Sequence, residues 1–493
     1  MNIELQVIGS ALRAVAEEMG AALVRSAFSA NIKERRDCST ALFDSDGRMI
    51  AQAEHIPVHL GAMPDAVAAV MAYDPGPDDV WILNDPFMGG SHLPDITLVS
   101  STDLGFAATR AHHADVGGSE PGSLPAGSTT LSEEGVVIPP TRLDDDVLAQ
   151  LVARMRNPEE RRGDLRAQLA AHHLAARRIA ELCARRGRER VLAAMDELYA
   201  YSERRVRAAV ARLPDGRFEA CDMLEAPESD LELRAAVSIA GEEIEIDFTG
   251  TAPQHEGNLN CPLAVTRAAA YFVVRCVADP DVPASGGAFA PVTVTAPEGS
   301  ILNARPPAAV AAGNVETSCR IADLLFACFA QAVPVPAQGQ GTMNNVTFGN
   351  DRFTYYETIG GGQGACPEAD GPSGVHVTMS NTLSTPTEAL ELAYPLRIRR
   401  HALRLGSGGH GTHRGGDGII REIEVLEPCS FSVVSERRRH PPQGVDGGDP
   451  GQPGRNLLNG EELPGKVSGD LARGDVLTVE TPGGGGHRRG RQP

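Results

Sequence analysis

NDPFMGGSHLPD, residues 84–95, lies between two β-like apolar runs, VWILND (80–85) and ITLVSS (96–101). A third run, FAATRAHH (106–113), leads into HHADVGG (112–118). Strand, glycine-rich turn and strand in this order predict a three-strand unit whose ends and loops carry Asp85, His92, Asp95, His112, His113 and Asp115. Pro94 disfavours helix and pushes Leu93 towards extended backbone. Residues three apart on a straight strand point to opposite faces, so His92 and Asp95 converge only across a turn, which the two preceding glycines permit. A His and an Asp, with a second His after the next strand, make a mixed nitrogen and oxygen donor set suited to Zn²⁺, Mn²⁺ or Fe²⁺. Turn histidines and aspartates also act simply as caps for backbone groups, and spacing alone does not separate the two readings.

Upstream, Leu5, Ile8, Leu12, Val15, Met19 and Leu23 recur at three- and four-residue steps, which predicts an amphipathic helix over 2–28. STALFD, the DSDG turn (44–47) and RMIAQA read as a hairpin, with Asp37 at its entry. His55 and His59 flank Pro57, which breaks any helical i, i+4 presentation, so both are read as packing or pocket-lining residues. MPDAVAAVMAY is a short helix with Asp65 in its first turn. Downstream, EPGSLPAGSTTLSEEG (120–135) is a loop, and 144–213 is helical with Leu165, Leu169, Leu174 and Ile179 as the expected core stripe. His172 and His173 point about 100° apart on a helix and are not expected to share an ion. Past the PDG turn (214–216) the pattern is β, followed by a helix over 266–278 and a capped helix over 314–333. IGGGQGA (359–365) and SGGHGTHRGGDG (407–418) read as places of close backbone approach. IIREIEVL, FSVVSE and DVLTVETP read as the strands of a β-rich end.

The expected fold is mixed α+β: an N-terminal helix with a strand-and-loop metal-binding region (1–143), a helical segment (144–213), a mixed α/β domain (214–400) and a β-rich C-terminal region with a basic tail (401–493). At 493 residues the length suggests roughly two large or three smaller domains. A formal net charge of −20, from 65 acidic and 45 basic residues, argues against a general nucleic-acid or anionic-membrane surface. No apolar run reaches the roughly 18 residues of a membrane span, and Glu4 stands where a leader would carry basic residues, so a cytoplasmic location is expected. Nine dispersed cysteines without a CxxC pair fit reduced, mostly packed thiols, Cys38 beside Asp37 included. The chain has no GxxxxGK[ST] phosphate loop, and IGGGQGA lacks the spacing of a dinucleotide fingerprint.

NIKERRDCSTALFD (31–44), EHIPVHLGAM (54–63), NDPFMGGSHLPDITLV (84–99) and RAHHADVGG (110–118) resemble the hydantoinase B/5-oxoprolinase family. The similarity continues through GDLRAQLAA (163–171), NVETSCRIAD (314–323), YYETIGGGQGA (355–365), SGGHGTHRGGDG and TPGGGG (481–486). The turn STDLG (101–105) is shorter than the family's, and the tail differs from its usual ending. The resemblance implies a divalent metal (Zn or Mn, with Fe a third candidate) held by Asp37, His92, Asp95 and His112, with His113 an alternative ligand. Asp115 and His113 would then orient a ligand or shuttle a proton. It further implies a hydantoinase A-type partner that binds ATP, two copies of each subunit, and hydrolysis of a cyclic amide activated by phosphorylation. Carboxylation of a ketone through carboxyphosphate, and a non-catalytic scaffold for the ATP-binding subunit, are the alternatives.

Overall fold

The apolar stripe that begins at Leu5 folds as helix α1 (Ile3–Ser26) and is buried along its whole length. The computed structural model describes residues 3–54 and 56–488; the expectation for His55 and that for the tail beyond 488 lie outside them. After α2 (Ala30–Lys33) come β1 (Cys38–Asp44), β2 (Met49–Glu54), α3 (Met63–Met71), β3 (Val80–Leu83), β4 (Asp95–Thr102) and β5 (Gly105–His112). A single turn, α4 (Leu131–Glu134), interrupts the expected loop and leads to β6 (Thr141–Arg142). The strands form a six-stranded sheet in the order β2-β1-β5-β4-β3-β6. The three strands foreseen around NDPFMGGSHLPD stand side by side in it.

Helices α5 (Asp145–Val152), α6 (Pro158–Arg186) and α7 (Arg188–Val210) follow. Helices α1, α6 and α7 cover one face of the sheet, where Cys38, Leu42, Ala107 and Ala111 meet Ala167, Ala171, Ala175 and Ile179. The core stripe of α6 differs from expectation. Leu165 and Ile179 are buried, but Leu169 and Leu174 are only half-buried, and alanines with Asp164, Gln168 and His172 take the inner positions. Small side chains let a long helix lie close to α1 and the sheet, which leaves the leucines at its margins.

The next sheet is β10-β9-β8-β7, from β7 (Gly216–Leu224), β8 (Leu231–Ala240), β9 (Glu243–Asp247) and, after helix α8 (Leu263–Ala278), β10 (Val292–Thr295). Helix α9 (Ser318–Phe329) buries Ile321, Leu324, Leu325 and Phe329 as predicted. It does not start with a side-chain cap: a π-helical turn, Gly313–Thr317, runs straight into it. Strands β11 (Asn345–Gly349) and β12 (Thr354–Thr358), helix α10 (Thr387–Ala393), then β13 (Leu396–Arg404), β14 (Gly418–Val425), β15 (Cys429–Val434), β16 (Arg455–Leu458), β17 (Glu461–Leu463), β18 (Lys466–Leu471) and β19 (Val476–Glu480) build two further sheets, β12-β11-β15-β18 and β13-β14-β19-β16-β17. The expected boundary at 400/401 falls within β13, and β11 pairs with β15 across it. The second face of the N-terminal sheet joins one apolar core with α3, α8, α9 and the β7–β10 sheet. Among the described residues no helix is long and apolar enough to cross a membrane.

His172 illustrates how the inner face of α6 is satisfied. Its ring lies between Ser100 Oγ at 2.7 Å and Thr109 Oγ1 at 3.0 Å. Burial, with a smaller push from His173, drives its pKa down to about 3. The unfolded chain, with a His pKa near 6.5, takes up this proton first. The contribution is therefore intact above about pH 6.5 and is lost as pH falls towards 3, at up to about 1.4 kcal/mol per pH unit. Urea midpoints of wild type and His172→Gln between pH 7 and 4 should diverge, with the wild type losing stability more steeply; parallel curves would refute this.

Candidate metal centre

Cross-strand register brings the ligand-type residues together. Asp95, the first residue of β4, pairs with His112, the last of β5. Cys38 pairs with Ala111 one step away, and the His112 amide donates to the Asp37 carbonyl at 3.0 Å. Asp37, His112 and Asp95 therefore form one row across β1, β5 and β4, and residues in a row share a face. His92 reaches the same face from the loop before β4.

That loop is held by its own sequence. Asn84 donates to the carbonyls of Leu93 and Val136 and accepts from the Ile138 amide. Arg110 donates to Thr97 Oγ1 and to the Gly89 carbonyl, at 2.8 and 2.9 Å. Gly89 has φ +97° and sits against α3, where a Cβ would come 2.7 Å from Ala66 Cα, so only glycine fits. The turn at Asp85 is a local one, its carboxylate accepting from the Phe87 amide.

His92, Asp95 and His112 each offer a ligand atom within 4.8 Å of the others, and all three are buried. Asp95 Oδ2 lies 3.1 Å from His92 Nδ1 and 3.3 Å from His59 Nε2, and it accepts from Ser91 Oγ at 2.7 Å. Asp95 Oδ1 faces His112 Nδ1 at 3.3 Å. Burial alone would raise the Asp95 pKa, but the imidazoles of His92 and His59 outweigh it and hold the carboxylate well below its usual range. Burial pushes His92 downward, against the pull of Asp95, which favours the neutral imidazole that a metal requires.

Four buried atoms of the group make no bond of hydrogen-bond geometry: His112 Nε2, His92 Nε2, and, although each lies 3.1–3.3 Å from another member of the group, His92 Nδ1 and Asp95 Oδ1. An unsatisfied buried polar atom costs about 1–3 kcal/mol, so several at one point call for a missing partner. Two imidazoles and an ionised carboxylate fit a divalent transition ion. Asp37 is buried beside the group and acts on His92 electrostatically, but its carboxylate is not among the atoms within 4.8 Å.

His113 is placed elsewhere. Its amide donates to the Pro94 carbonyl at 2.8 Å, but its ring turns to α6, where Nε2 lies 3.0 Å from Gln168 Oε1. Burial lowers its pKa to about 4. Alternation along the chain explains the split, since Thr109, Ala111 and His113 face α6 while Arg110 and His112 face the other way. Asp115 lies in the loop beyond β5, accepting from the Gly117 and Gly122 amides and pairing with Arg156 at 3.1 Å. Burial pushes the Cys38 thiol up, consistent with a packed residue.

Two contacts of the centre were not foreseen. His59, read as a packing or pocket-lining residue with no contact to a ligand assigned, binds Ser39 Oγ through Nδ1 at 3.0 Å and supports Asp95 through Nε2. Tyr356 of β12 stacks on His112, with ring centroids 4.7 Å apart and planes 15° from parallel. Both lie in motifs that the resemblance had marked, EHIPVHLGAM and YYETIGGGQGA, yet nothing local in either sequence points to residue 95 or 112.

The sequence model of the hydantoinase B/oxoprolinase family matches residues 1–488. The chain belongs to this family. It is 38% identical to 5-oxoprolinase 1 of Arabidopsis thaliana, over 98% of this chain but 41% of that protein. It is 31% identical to a putative D-/L-hydantoinase polypeptide of the B type from a Pseudomonas strain, over 98% of this chain and 89% of that one. Family members thus come in two sizes, and the chain spans about two fifths of the longer curated relatives it matches (41% and 40% for two 5-oxoprolinases). Among solved structures, the ATP-dependent caprolactamase from Pseudomonas jessenii superposes with a TM-score of 0.92 at 27% identity, covering 99% of this chain and 91% of that one.

An ion that binds only the folded chain stabilises it by about 2.7 kcal/mol at a hundred times its Kd. Chelator-stripped protein should therefore melt at a higher temperature on addition of Zn²⁺ or Mn²⁺. His92→Ala and Asp95→Ala should abolish that response, and His113→Gln should keep it. Equal thermal shifts in all four proteins would place the ion elsewhere.

Proposed function

We propose that this chain is the metal-dependent subunit of an ATP-driven cyclic-amide hydrolase. A hydantoin, 5-oxoproline or lactam ring is activated at a separate ATP-binding subunit of the hydantoinase A type and opened at the centre described above, in an assembly with two copies of each subunit. The observation that carries this reading is the buried His92–Asp95–His112 group with four atoms that make no bond of hydrogen-bond geometry. Likeness to an ATP-dependent caprolactamase and to a putative hydantoinase polypeptide, each over nearly the whole chain, supports the reaction class.

The chemistry follows from the weakness of amides as electrophiles. Phosphorylation of the carbonyl oxygen makes the carbon more electrophilic; after water adds, the ring C–N bond breaks with the nitrogen taking up a proton, and hydrolysis of the acyl phosphate so formed releases phosphate and leaves the carboxylate. Asp37, His92, Asp95 and His112 would hold the divalent ion, which supplies Lewis-acid polarisation of a carbonyl and activation of water. Asp95, kept ionised, brings negative charge that helps retain a dication in the buried site. His92, kept neutral by burial, offers a free lone pair. His59 and Ser91 fix the Asp95 carboxylate, and His113 and Asp115 are positioning residues that anchor the segment after β5 through Pro94, Gln168 and Arg156.

Two measurements test this. Elemental analysis should find near-stoichiometric Mn or Zn in the purified protein and little in Asp37→Ala or His92→Ala. Reconstituted with the ATP-binding subunit, the wild type should show ATP turnover stimulated by a cyclic amide and accompanied by ring opening, independent of bicarbonate. His92→Ala should reduce it to background. Strict bicarbonate dependence with the carbon retained in product would instead assign a carboxylase. Full activity in His92→Ala would leave a scaffold.

A further inference from the structure

The motifs NVETS (314–318) and YYETIGG (355–361) have no part in the ligand set, yet the fold runs both of them to the back of His112. Tyr356 covers the His112 ring in a near-parallel stack. Its hydroxyl donates to Asn345 Oδ1 at 2.8 Å, on the neighbouring strand β11. The Asn345 amide nitrogen in turn donates to Glu316 Oε1 at 2.7 Å and to the Val434 carbonyl at 2.9 Å. Glu316 also accepts from the Met343 amide, and its other oxygen, Oε2, has no partner. Every side chain in this series is buried.

Glu316 stands in the π-helical turn that replaces a capped start of α9. Such turns insert a residue into a helix and are frequent at functional sites. Here the backbone at Gly313 passes so close to the Asn260 carbonyl that a Cβ would lie 1.8 Å from it. The wide turn is therefore fixed by packing on one side while it delivers Glu316 to Asn345 on the other.

The Tyr356 backbone and ring are held from the opposite direction by Arg35. Its Nη1 donates to the Tyr356 carbonyl at 2.7 Å, and its guanidinium carbon lies 5.3 Å from the ring centroid. Nη2 donates to Thr358 and Thr382. Arg35 is two residues before Asp37, so one short segment carries both a proposed ligand and the clamp on Tyr356.

We propose that Tyr356 is a positioning residue of the metal centre, fixing the plane of the His112 imidazole through a rigid buried series of Asn345, Glu316 and Arg35. This rests on the metal-centre reading above. A ring packed at 4.7 Å cannot rotate about its Cβ–Cγ bond without displacing the tyrosine, and the tyrosine is tied at its hydroxyl, face and carbonyl. Supporting groups around metal ligands are worth about 10–100-fold in affinity when removed.

Tyr355 provides the internal control. It is equally buried, one residue away on the same strand, but its hydroxyl donates to Glu357 and its ring belongs to the C-terminal core, away from His112. The experiment compares the full chain with its Tyr356→Phe, Tyr356→Leu and Tyr355→Phe variants, each loaded with Co²⁺ after chelation. Affinity is read by competition with a chromophoric chelator, and ligand geometry by the visible Co²⁺ spectrum. Tyr356→Leu should bind about 10–100-fold more weakly with an altered spectrum, Tyr356→Phe should show a smaller loss in the same direction, and Tyr355→Phe should match the wild type. The phenylalanine variant keeps the ring and so keeps the test open if the leucine variant does not fold. Wild-type affinity and spectrum in both Tyr356 variants, or an equal loss in Tyr355→Phe, would overturn the positioning role while leaving the metal centre intact. Absence of Co²⁺ binding in the wild type would overturn both.

Discussion

The pairing of Asp95 with His112 across β4 and β5 is the constraint on which the site depends. A one-residue slip of either strand would send one of the two side chains to the opposite face, into the helical layer that receives His113. The register is held by what each face buries. Ala107 and Ala111 pack against α6, which accepts little more than a methyl group there, while Ala108 meets the second core. Core packing on both sides of the sheet thereby fixes which residues face inward at its end. The Asp37 carbonyl, which accepts the His112 amide, extends the same row onto β1.

Placing two histidines and a carboxylate in a dry interior is destabilising unless their charges and lone pairs are answered. The protein answers them in part. Asp95 Oδ2 is served by Ser91 and His59, while Asp95 Oδ1, both ring nitrogens of His92 and Nε2 of His112 make no bond of hydrogen-bond geometry. The partnered oxygen fixes the orientation of the carboxylate, and each of His92, Asp95 and His112 offers a ligand atom within 4.8 Å of the others. A structural polar cluster of the kind formed by His172, Ser100 and Thr109 closes on itself, both ring nitrogens being paired. The contrast is between His172, satisfied on the inner face of α6, and His92 and His112 of the candidate centre, which keep buried ring nitrogens without partners.

Much of this was legible in the residues. The strand–turn–strand pattern around 84–95 located the loop, glycine and proline located its bend, and the helical period located α1. The failures have physical causes. The α6 stripe was read from its leucines, whereas close packing against α1 selected the alanines and put buried polar residues between them. The start of α9 was read as a capped end, but a π-turn anchored by the Gly313 contact removed the need for a cap. His112 and His113 are indistinguishable by composition, and only strand alternation about a known register tells which face each takes. Tyr356 lay beyond reach for another reason: its partner is more than two hundred residues away in sequence, and no periodicity records a contact of that range.

The same long-range contact bears on how the chain is divided. Strand β12 brings Tyr356 to the N-terminal sheet, and Arg35 donates into β12 in return, so the two halves meet at the candidate metal centre instead of merely abutting. Behind β12 the glycine-rich segments 359–365, 407–418 and 481–487 pack backbone against backbone. Gly362 donates to the Pro482 carbonyl, and a Cβ at Gly362 would come 2.0 Å from the Gly416 carbonyl oxygen. A body without side chains at its contacts has few rotamers to adjust, and its geometry is set by main-chain hydrogen bonds. Such a support transmits position rather than absorbing it. The glycines of 359–365 and 407–418 thus make the close backbone approach that their sequence predicts, the first of these segments directly after the strand that carries the ring behind His112.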